Sequence, residues 1–306
     1  MYTIETRNLT KRFEQKTAVE GLTLQVEAGE VYGFLGPNGA GKSTTIAMLL
    51  DYVRPTSGDV TIAGCDARTE QRELRRRVGV VPERCQLARR ATAREHLRFA
   101  VRSHETSDEP RKLLARTGLG HAADEPVRTF STGMAQRLRL AMALVGDPAV
   151  LLLDEPASGL DPTGQRELRE LLRAEAMNGT TVFFSSHHLD QVAAIADRIG
   201  MLVDGRLEAE GTPAELGDSG VGGVRIEARD WKQEWSPSLA DLPGVASISI
   251  DSTRQGERLD IELQDEAGKP AAIDFVTDRT RVDSITEDES GLATTFARVT
   301  GADRCK

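Results

Sequence analysis

Cysteine is scarce in this 306-residue sequence, which contains only Cys65, Cys85 and Cys305. The three cysteines are widely spaced and form no C-x-x-C pair, the arrangement that is typical of zinc sites. The pattern therefore supports neither a zinc site nor a disulfide framework, and we expect incidental thiols in a reducing compartment.

Long apolar runs are also missing. The longest, from Ala141 to Leu153, is interrupted by Gly146, Asp147 and Pro148. A helix that crosses a bilayer needs about 18 or more continuous apolar residues. The first residues of the chain lack the basic and then apolar regions of a secretory signal. We therefore expect a protein that does not cross a membrane and that remains in the cytoplasm.

Basic residues are fewer than acidic residues, and most of this difference lies in the C-terminal part. The chain carries a net charge of -9, and from Asp218 onward 11 basic residues face 18 acidic ones. An acidic surface repels phosphate backbones, so nucleic acid is not expected as a partner. A chain of this length suggests two domains. The glycine-rich stretch from Gly217 to Gly223 separates a predicted main domain, 1–217, from a predicted acidic accessory domain, 218–306.

Short continuous apolar runs indicate buried strands at Val31–Leu35, Val150–Leu153 and Thr181–Phe184. Such runs, separated by helical patterns, are typical of a parallel sheet that is covered on both faces. Residues from about 84 to 145 have a mostly helical pattern and predict a helical subdomain inserted into this core. Alternating and helical spacings beyond residue 223 predict a small C-terminal α+β domain. The predicted class is therefore α/β, with a mainly parallel sheet.

A glycine-rich loop follows the first of these strands and matches the pattern G-x-x-x-x-G-K-S/T. Its residues are Gly36, Pro37, Asn38, Gly39, Ala40, Gly41, Lys42, Ser43 and Thr44. In such a loop the backbone N–H groups point inward, and the following helix, predicted here from Lys42 to about Val53, directs its positive end at phosphates. Lys42 would contact the β- and γ-phosphates, and Ser43 would supply an oxygen ligand to Mg²⁺. The loop predicts a nucleotide phosphate site.

Acidic and histidine side chains follow the other two strands. Asp154 suits direct or indirect Mg²⁺ ligation, and Glu155 points to the opposite side because adjacent strand residues face opposite ways. Glu155 could therefore polarise an attacking water. A carboxylate pair can also simply end a strand and cap the next turn, but the phosphate loop favours the catalytic interpretation. His187 could contact the γ-phosphate, although a lone histidine is more often structural.

The sequence resembles the ATP-binding subunits of ABC transporters from about residue 2 to residue 216. Five segments carry the resemblance, in the order found in that family. They are Gly36–Thr44, Ser131–Met134, Leu151–Pro156, Ser158–Asp161 and His187. The resemblance implies an additional antiparallel β region at the N-terminus of the core, and it implies ATP and Mg²⁺ as ligands.

The resemblance also implies that two subunits enclose two ATP molecules. Each ATP would be bound by the phosphate loop of one subunit and by a second segment of the other. That segment, called the signature segment, is Ser131–Met134 in this chain. In that segment Ser131 can supply a hydroxyl and Gly133 allows close backbone approach. A helix predicted to begin near Met134 would direct its positive end at the γ-phosphate. Asp161 would lie at the dimer seam.

Two further assignments rest on the resemblance. Phe13 occupies the place of the aromatic residue that stacks on adenine, although a structural core phenylalanine is an alternative. Glu83 occupies the place of a glutamine before the helical insert, and its carboxylate could still ligate Mg²⁺. The family's usual signature is L-S-G-G-Q, whereas this chain has Phe130, Thr132 and Met134. That variant is similar to the signature of drug- and sodium-exporting members.

The predicted function is therefore that of the ATP-hydrolysing subunit of an ABC exporter, located on the inner face of the cell membrane. Its partners would be a second copy of itself or a paralogous ATPase subunit, together with integral membrane permease subunits. A soluble ABC-type ATPase acting in DNA repair or on ribosomes is one alternative. A regulatory subunit that binds ATP without hydrolysing it is another, suggested by Glu83, Thr132 and Met134. The sequence does not indicate the transported substrate.

Overall fold

The computed structural model describes residues 2–218, 223–253, 256–263, 268–288 and 291–301. The chain divides into two compact units, Met1–Glu210 and Gly211–Lys306. The predicted domain boundary after residue 217 stays a prediction, because the glycine-rich residues 219–222 that suggested it lie outside the described residues, as does Cys305.

Strands and helices alternate through most of the first unit. Its elements are β1 (Tyr2–Phe13), β2 (Lys16–Glu27), β3 (Val31–Leu35), α1 (Lys42–Leu49), β4 (Ser57–Ile62), β5 (Cys65–Asp66), α2 (Gln71–Arg77), β6 (Val78–Val81), α3 (Ala93–Ser103), α4 (Pro110–Arg116), α5 (Thr132–Ala143), β7 (Val150–Leu153), α6 (Pro162–Met177), β8 (Thr181–Ser186), α7 (Leu189–Ala193), β9 (Arg198–Val203) and β10 (Arg206–Gly211).

The central sheet has the strand order β10-β9-β3-β8-β7-β6. The pairs β3/β9, β3/β8, β7/β8 and β6/β7 are parallel. Every residue of β3, β7 and β8 is buried, as expected for strands covered on both faces. Because β3, β8 and β7 are parallel neighbours, the segments that follow them all emerge at one edge of the sheet.

A second sheet has the order β2-β1-β4-β5, and the pairs β1/β2, β1/β4 and β4/β5 are antiparallel. The long hairpin of β1 and β2 supplies buried side chains to the same apolar core as the central sheet, including Ile4, Leu22 and Leu24. This sheet confirms the antiparallel N-terminal region that the family resemblance implied.

The insert between β6 and β7 is helical, as predicted, and contains α3, α4 and α5 with two short 3₁₀ turns. The prediction that a helix begins near Met134 was two residues late. Ser131 caps α5, because its Oγ accepts a hydrogen bond from the backbone N–H of Met134 at 3.1 Å. Helix α1 is shorter than predicted and ends at Leu49, since Asp51 adopts a left-handed conformation with φ 53°.

The second unit is an α+β fold, also as predicted. Its elements are α8 (Pro213–Asp218), β11 (Gly223–Ala228), α9 (Ser236–Ala240), β12 (Val245–Thr253), β13 (Gly256–Leu263), α10 (Gly268–Thr277), β14 (Val282–Asp288) and α11 (Gly291–Thr300). The antiparallel sheet has the order β12-β13-β11-β14. One face forms a core with α9 and α10, through residues such as Ile226, Leu239, Leu259 and Ala272. Across the described parts of both units, no helix is long and apolar enough to cross a membrane.

Candidate functional site

The glycine-rich loop after β3 packs against strand β9 of the central sheet and strand β2 of the second sheet. A Cβ atom at Gly36 would come within 2.3 Å of the carbonyl oxygen of Leu202 in β9. A Cβ atom at Gly41, where φ is 110°, would come within 2.3 Å of the carbonyl oxygen of Ala18 in β2. Only glycine fits at these two positions, so the G-x-x-x-x-G spacing of the sequence reflects direct backbone packing.

Lys42 begins α1 and is buried inside the loop. Its Nζ donates hydrogen bonds to the carbonyl oxygen of Gly36 at 2.6 Å and to that of Pro37 at 3.2 Å. The same Nζ lies 3.5 Å from Oε1 of Glu155. A buried ammonium requires such partners, and together they hold the positive charge within the loop.

The remaining loop residues differ in exposure. Pro37, Asn38 and Gly39 at the tip are exposed, whereas Ala40 is buried and donates its N–H to the carbonyl oxygen of Pro37 at 3.2 Å. Ser43 is exposed and Thr44 is half-buried in the first turn of α1. The tip and the start of the helix are therefore accessible to a ligand that carries phosphate.

Asp154 and Glu155 follow β7 and make different contacts. The carboxylate of Asp154 is buried, and its Oδ1 accepts a hydrogen bond from Ser185 Oγ at 2.6 Å. Glu155 has a φ of 48°, in the left-handed region that residues other than glycine seldom adopt. Its backbone N–H donates to the same Ser185 Oγ at 2.9 Å.

The carboxylate of Glu155 joins three segments of the chain. Its Oε1 lies 3.5 Å from Lys42 Nζ, and its Oε2 lies 3.0 Å from His187 Nδ1. The Glu155 side chain is only 12 % exposed, and the His187 ring is one-third exposed. The structure thus brings together the phosphate loop, the end of β7 and the end of β8, which are separate in sequence and adjacent because their strands pair in parallel.

Ser185 is the site residue that the sequence reasoning missed. The predicted strand ended at Phe184, whereas Ser185 belongs to β8 and is fully buried. A hydroxyl at the end of an otherwise apolar strand was the available signal. Its two hydrogen bonds to the Asp154–Glu155 segment depend on the pairing of β7 with β8, which the sequence does not show.

Oxygen donors suited to Mg²⁺ are present at Asp154 and Ser43. In nucleotide sites Mg²⁺ takes one or two protein ligands and completes its coordination with phosphates and water. A group of three or more His, Cys, Asp or Glu residues arranged for a metal is not found among the described residues. The donor set therefore fits Mg²⁺ held together with phosphate, rather than a site built from protein ligands alone.

Glu83 is a further candidate ligand, in the segment that follows β6. Its carboxylate is half-exposed, with Oε1 3.9 Å from Nε of Arg84. Among the residues that the structure describes, no hydrogen bond or ion pair joins Glu83 to Asp154 or Ser43. Its role as a metal ligand stays a prediction.

Phe13 and the signature segment are on the surface of this single chain. The Phe13 ring is half-exposed, with Lys11 Nζ 5.0 Å from its centroid. Ser131 is exposed, and a Cβ at Gly133 would meet nothing closer than Ser131 Oγ at 3.9 Å. Within the described residues, no hydrogen bond or ion pair connects Ser131 or Gly133 to the phosphate loop.

Asp161 begins α6 as its capping residue. Its Oδ1 accepts a hydrogen bond from the backbone N–H of Gly164 at 2.8 Å, and the residue is exposed. The capping contact explains its presence at a helix start without a partner chain. Its location at a dimer seam therefore stays a prediction.

Comparison with known proteins gives the same family. The profile of the family described as "ABC transporter" matches residues 19–158. The Nod factor export ATP-binding protein I of Burkholderia lata is 41% identical over 229 residues, covering 73% of this chain and 75% of that protein. The daunorubicin/doxorubicin resistance ATP-binding protein DrrA of Streptomyces peucetius is 38% identical over 278 residues, covering 85% of this chain and 84% of that protein.

A solved structure has the same fold as the first unit. It is a dimeric post-hydrolysis state of an ATP-binding cassette bound to ADP and Pi, with 25% sequence identity and a TM-score of 0.62. The match covers 68% of this chain and 98% of that one. Together, the matched motifs, the sheet order and the relatives show that the chain belongs to the ATP-binding proteins of ABC transporters, and that it is an ATPase coupled to transport.

Proposed function

We propose that this chain is the ATP-hydrolysing subunit of an exporter and that hydrolysis takes place at the site formed by Lys42, Glu155 and His187. The relatives described above are named for Nod factor export and for drug resistance, which supports outward transport. The observation that carries the residue assignments is the position of the Glu155 carboxylate, 3.5 Å from Lys42 Nζ and 3.0 Å from His187 Nδ1.

In this proposal Lys42 and the backbone N–H groups of Gly36–Thr44 bind the β- and γ-phosphates. Glu155 accepts the proton of the attacking water, and His187 holds the glutamate and contacts the γ-phosphate. Asp154 and Ser43 hold Mg²⁺, which neutralises phosphate charge when bound. Phe13 stacks on the adenine ring. Glu83 would supply a further oxygen ligand to the metal.

We infer that hydrolysis requires a second copy of the chain or a paralogous subunit. Ser131 and Gly133 at the exposed start of α5 would bind the γ-phosphate held by the partner's loop, since a helix N-terminus attracts anions. The solved dimeric cassette with ADP and Pi supports such an arrangement. The exposed Asp161 would then lie at the seam between the two chains.

A groove on the first unit is our candidate contact for the membrane permease, which would hold the protein at the inner face of the membrane. Phe99 and Tyr52 are large apolar side chains that are 71% and 68% exposed, and both line this groove. Buried Leu74 and Val81 and half-buried Met142 are also part of its apolar lining. Exposed aromatic residues gathered in one groove are typical of a protein interaction site.

Replacing Glu155 with glutamine tests the proposed function. E155Q keeps the size of the side chain but removes the base, so turnover should fall by about 10²–10⁴-fold. ATP binding should persist, and ATP should then trap a closed dimer. Phosphate release, equilibrium binding of an ATP analogue, and light scattering with and without ATP measure these three effects.

Glu170 offers a matched control, because it is an exposed glutamate of α6 whose one ion-pair partner among the described residues is Arg166. E170Q should leave turnover and binding unchanged. Undiminished phosphate release by E155Q would remove Glu155 from the role of base. Wild-type protein that binds ATP but releases no phosphate, even with its native partners, would favour the regulatory alternative.

Isolation of the native complex from membranes tests the partner assignment. The exporter proposal expects an integral membrane protein to co-purify with the chain. Recovery of the chain with ribosomes or with DNA repair proteins, and without an integral partner, would support the alternative of a soluble ATPase.

A further inference from the structure

Ser185 is fully buried at the carboxyl end of β8, and its hydroxyl makes two hydrogen bonds. It donates to Asp154 Oδ1 at 2.6 Å and accepts the backbone N–H of Glu155 at 2.9 Å. An ionised carboxylate can only accept, so Asp154 fixes the direction of the hydroxyl proton. The hydroxyl oxygen is then free to accept from Glu155.

The backbone of Glu155 needs such support. Its φ of 48° is unfavourable for a residue with a Cβ atom, and this conformation persists only where the surroundings hold it. The carbonyl oxygen of Glu155 accepts from the N–H of Ser158 at 3.1 Å, and the Ser185 hydroxyl binds the N–H on the other side. In this conformation the carboxylate lies between Lys42 and His187.

We propose that Ser185 is a positioning residue for ATP hydrolysis, which holds Glu155 in its left-handed conformation and links it to the metal-side carboxylate of Asp154. The inference rests on the proposed role of Glu155 as the base. One hydroxyl thus sets the relative placement of the two carboxylates, although Ser185 itself contacts neither phosphate nor water in the reaction.

The neighbouring Ser186 provides a matched control. It is equally buried and also makes two hydrogen bonds, donating to Gln191 Oε1 at 3.3 Å and accepting from the His188 N–H at 3.0 Å. Neither bond involves Asp154 or Glu155. Loss of the Ser186 hydroxyl therefore tests the general cost of removing a buried serine hydroxyl at the end of β8.

Three substitutions at Ser185 separate the hydroxyl from the shape of the side chain. S185A leaves the Glu155 N–H without its partner, and S185C keeps a similar shape with a weak donor and acceptor. S185T retains the hydroxyl and adds one methyl group, and Ser185 is one of the residues that line a cavity of about 120 Å³. S185C also keeps the test valid if S185A fails to fold.

Steady-state phosphate release by the full-length chain, with Mg²⁺ and ATP, gives kcat and KM for each variant. S185A and S185C should lower kcat by about 10- to 100-fold, the loss expected when a reacting group is misplaced by about 1 Å. KM, and the Kd of a fluorescent ATP analogue measured by titration, should stay within about threefold of wild type because the phosphate loop is intact. S185T should restore most of the turnover, and S186A should retain it.

A double variant distinguishes action through Glu155 from a general defect. In an E155Q background, S185A should cause no further loss of the residual turnover. Both substitutions act on the same function, which is proton acceptance by Glu155. Unchanged kcat in S185A, or a loss of analogue affinity as large as the loss of kcat, would overturn the inference. Undiminished turnover in E155Q alone would instead overturn the proposed role of Glu155.

Discussion

At the residue scale, Glu155 combines an unfavourable backbone with a proposed catalytic side chain. It has a φ of 48°, yet its carboxylate is held by both Lys42 and His187. Strained conformations of this kind cost about 1–3 kcal/mol and are concentrated at functional sites. The site therefore retains a conformation that lowers the stability of the fold.

Comparison of two small substitutions at Glu155 measures this cost. E155A and E155G both remove the carboxylate, but only glycine adopts a positive φ without strain. E155G should therefore be more stable than E155A by about 1 kcal/mol, measured by urea unfolding, while both lose hydrolysis. At Glu170 inside α6 the order should reverse, because glycine lowers helix stability by about 1 kcal/mol relative to alanine. Equal stability of E155A and E155G would show that the left-handed backbone at residue 155 is not strained.

At the element scale, the packing of β3 against β9 depends on the contact of Tyr32 in β3 with Gly200 in β9. A Cβ at Gly200 would come within 2.2 Å of the hydroxyl oxygen of Tyr32 and within 3.0 Å of Leu207 Cδ1. The Tyr32 hydroxyl donates to Glu210 Oε1 at 3.0 Å. Burial, with the nearby charge of Glu210, raises the pKa of Tyr32 well above its usual value, so the phenol stays neutral and remains a donor.

The two residues should therefore show non-additive effects on stability. G200A should cost about 1–3 kcal/mol through overpacking, and Y32F about 1 kcal/mol through the lost hydrogen bond. The double variant should cost less than the sum, because removing the hydroxyl relieves the main overlap. Urea unfolding of the wild type, the two single variants and the double variant measures the coupling. If the two stability losses add up exactly in the double variant, the cost of a side chain at position 200 does not depend on the Tyr32 hydroxyl.

At the scale of the whole molecule, each unit has a hydrophobic core of its own. The first core includes Leu152 of β7, and the second includes Leu259 of β13, both fully buried. The two tryptophans of the chain, Trp231 and Trp235, both belong to the second unit. Tryptophan fluorescence therefore reports on the second unit, whereas nucleotide binding reports on the first.

Core truncations should then act separately on the two signals. L259A should destabilise the second unit by about 2–5 kcal/mol and shift the tryptophan transition to lower urea. Binding of an ATP analogue should be lost at the same urea concentration as in wild type. L152A should shift the binding transition instead. A joint shift of both signals in either variant would mean that the two units unfold as one.

Much of the fold could be predicted because its signals are local. The strands at Val31–Leu35 and Val150–Leu153 have the predicted bounds, since unbroken apolar runs suit a sheet covered on both faces. Helix ends were less accurate because single side chains set them. Helix α5 begins directly after the capping residue Ser131, and α1 ends before Asp51 because that residue is left-handed.

The sequence by itself determined the family, the loop that fits phosphate, and the acidic and histidine residues at the strand ends, because each depends on residue type and short spacing. Only the tertiary structure decided that β3, β8 and β7 are neighbours, which brings Glu155 to Lys42 and His187. It also decided that Ser185 supports Glu155 in a left-handed conformation. Strand order and backbone strain arise from contacts between distant segments, and no local pattern encodes them.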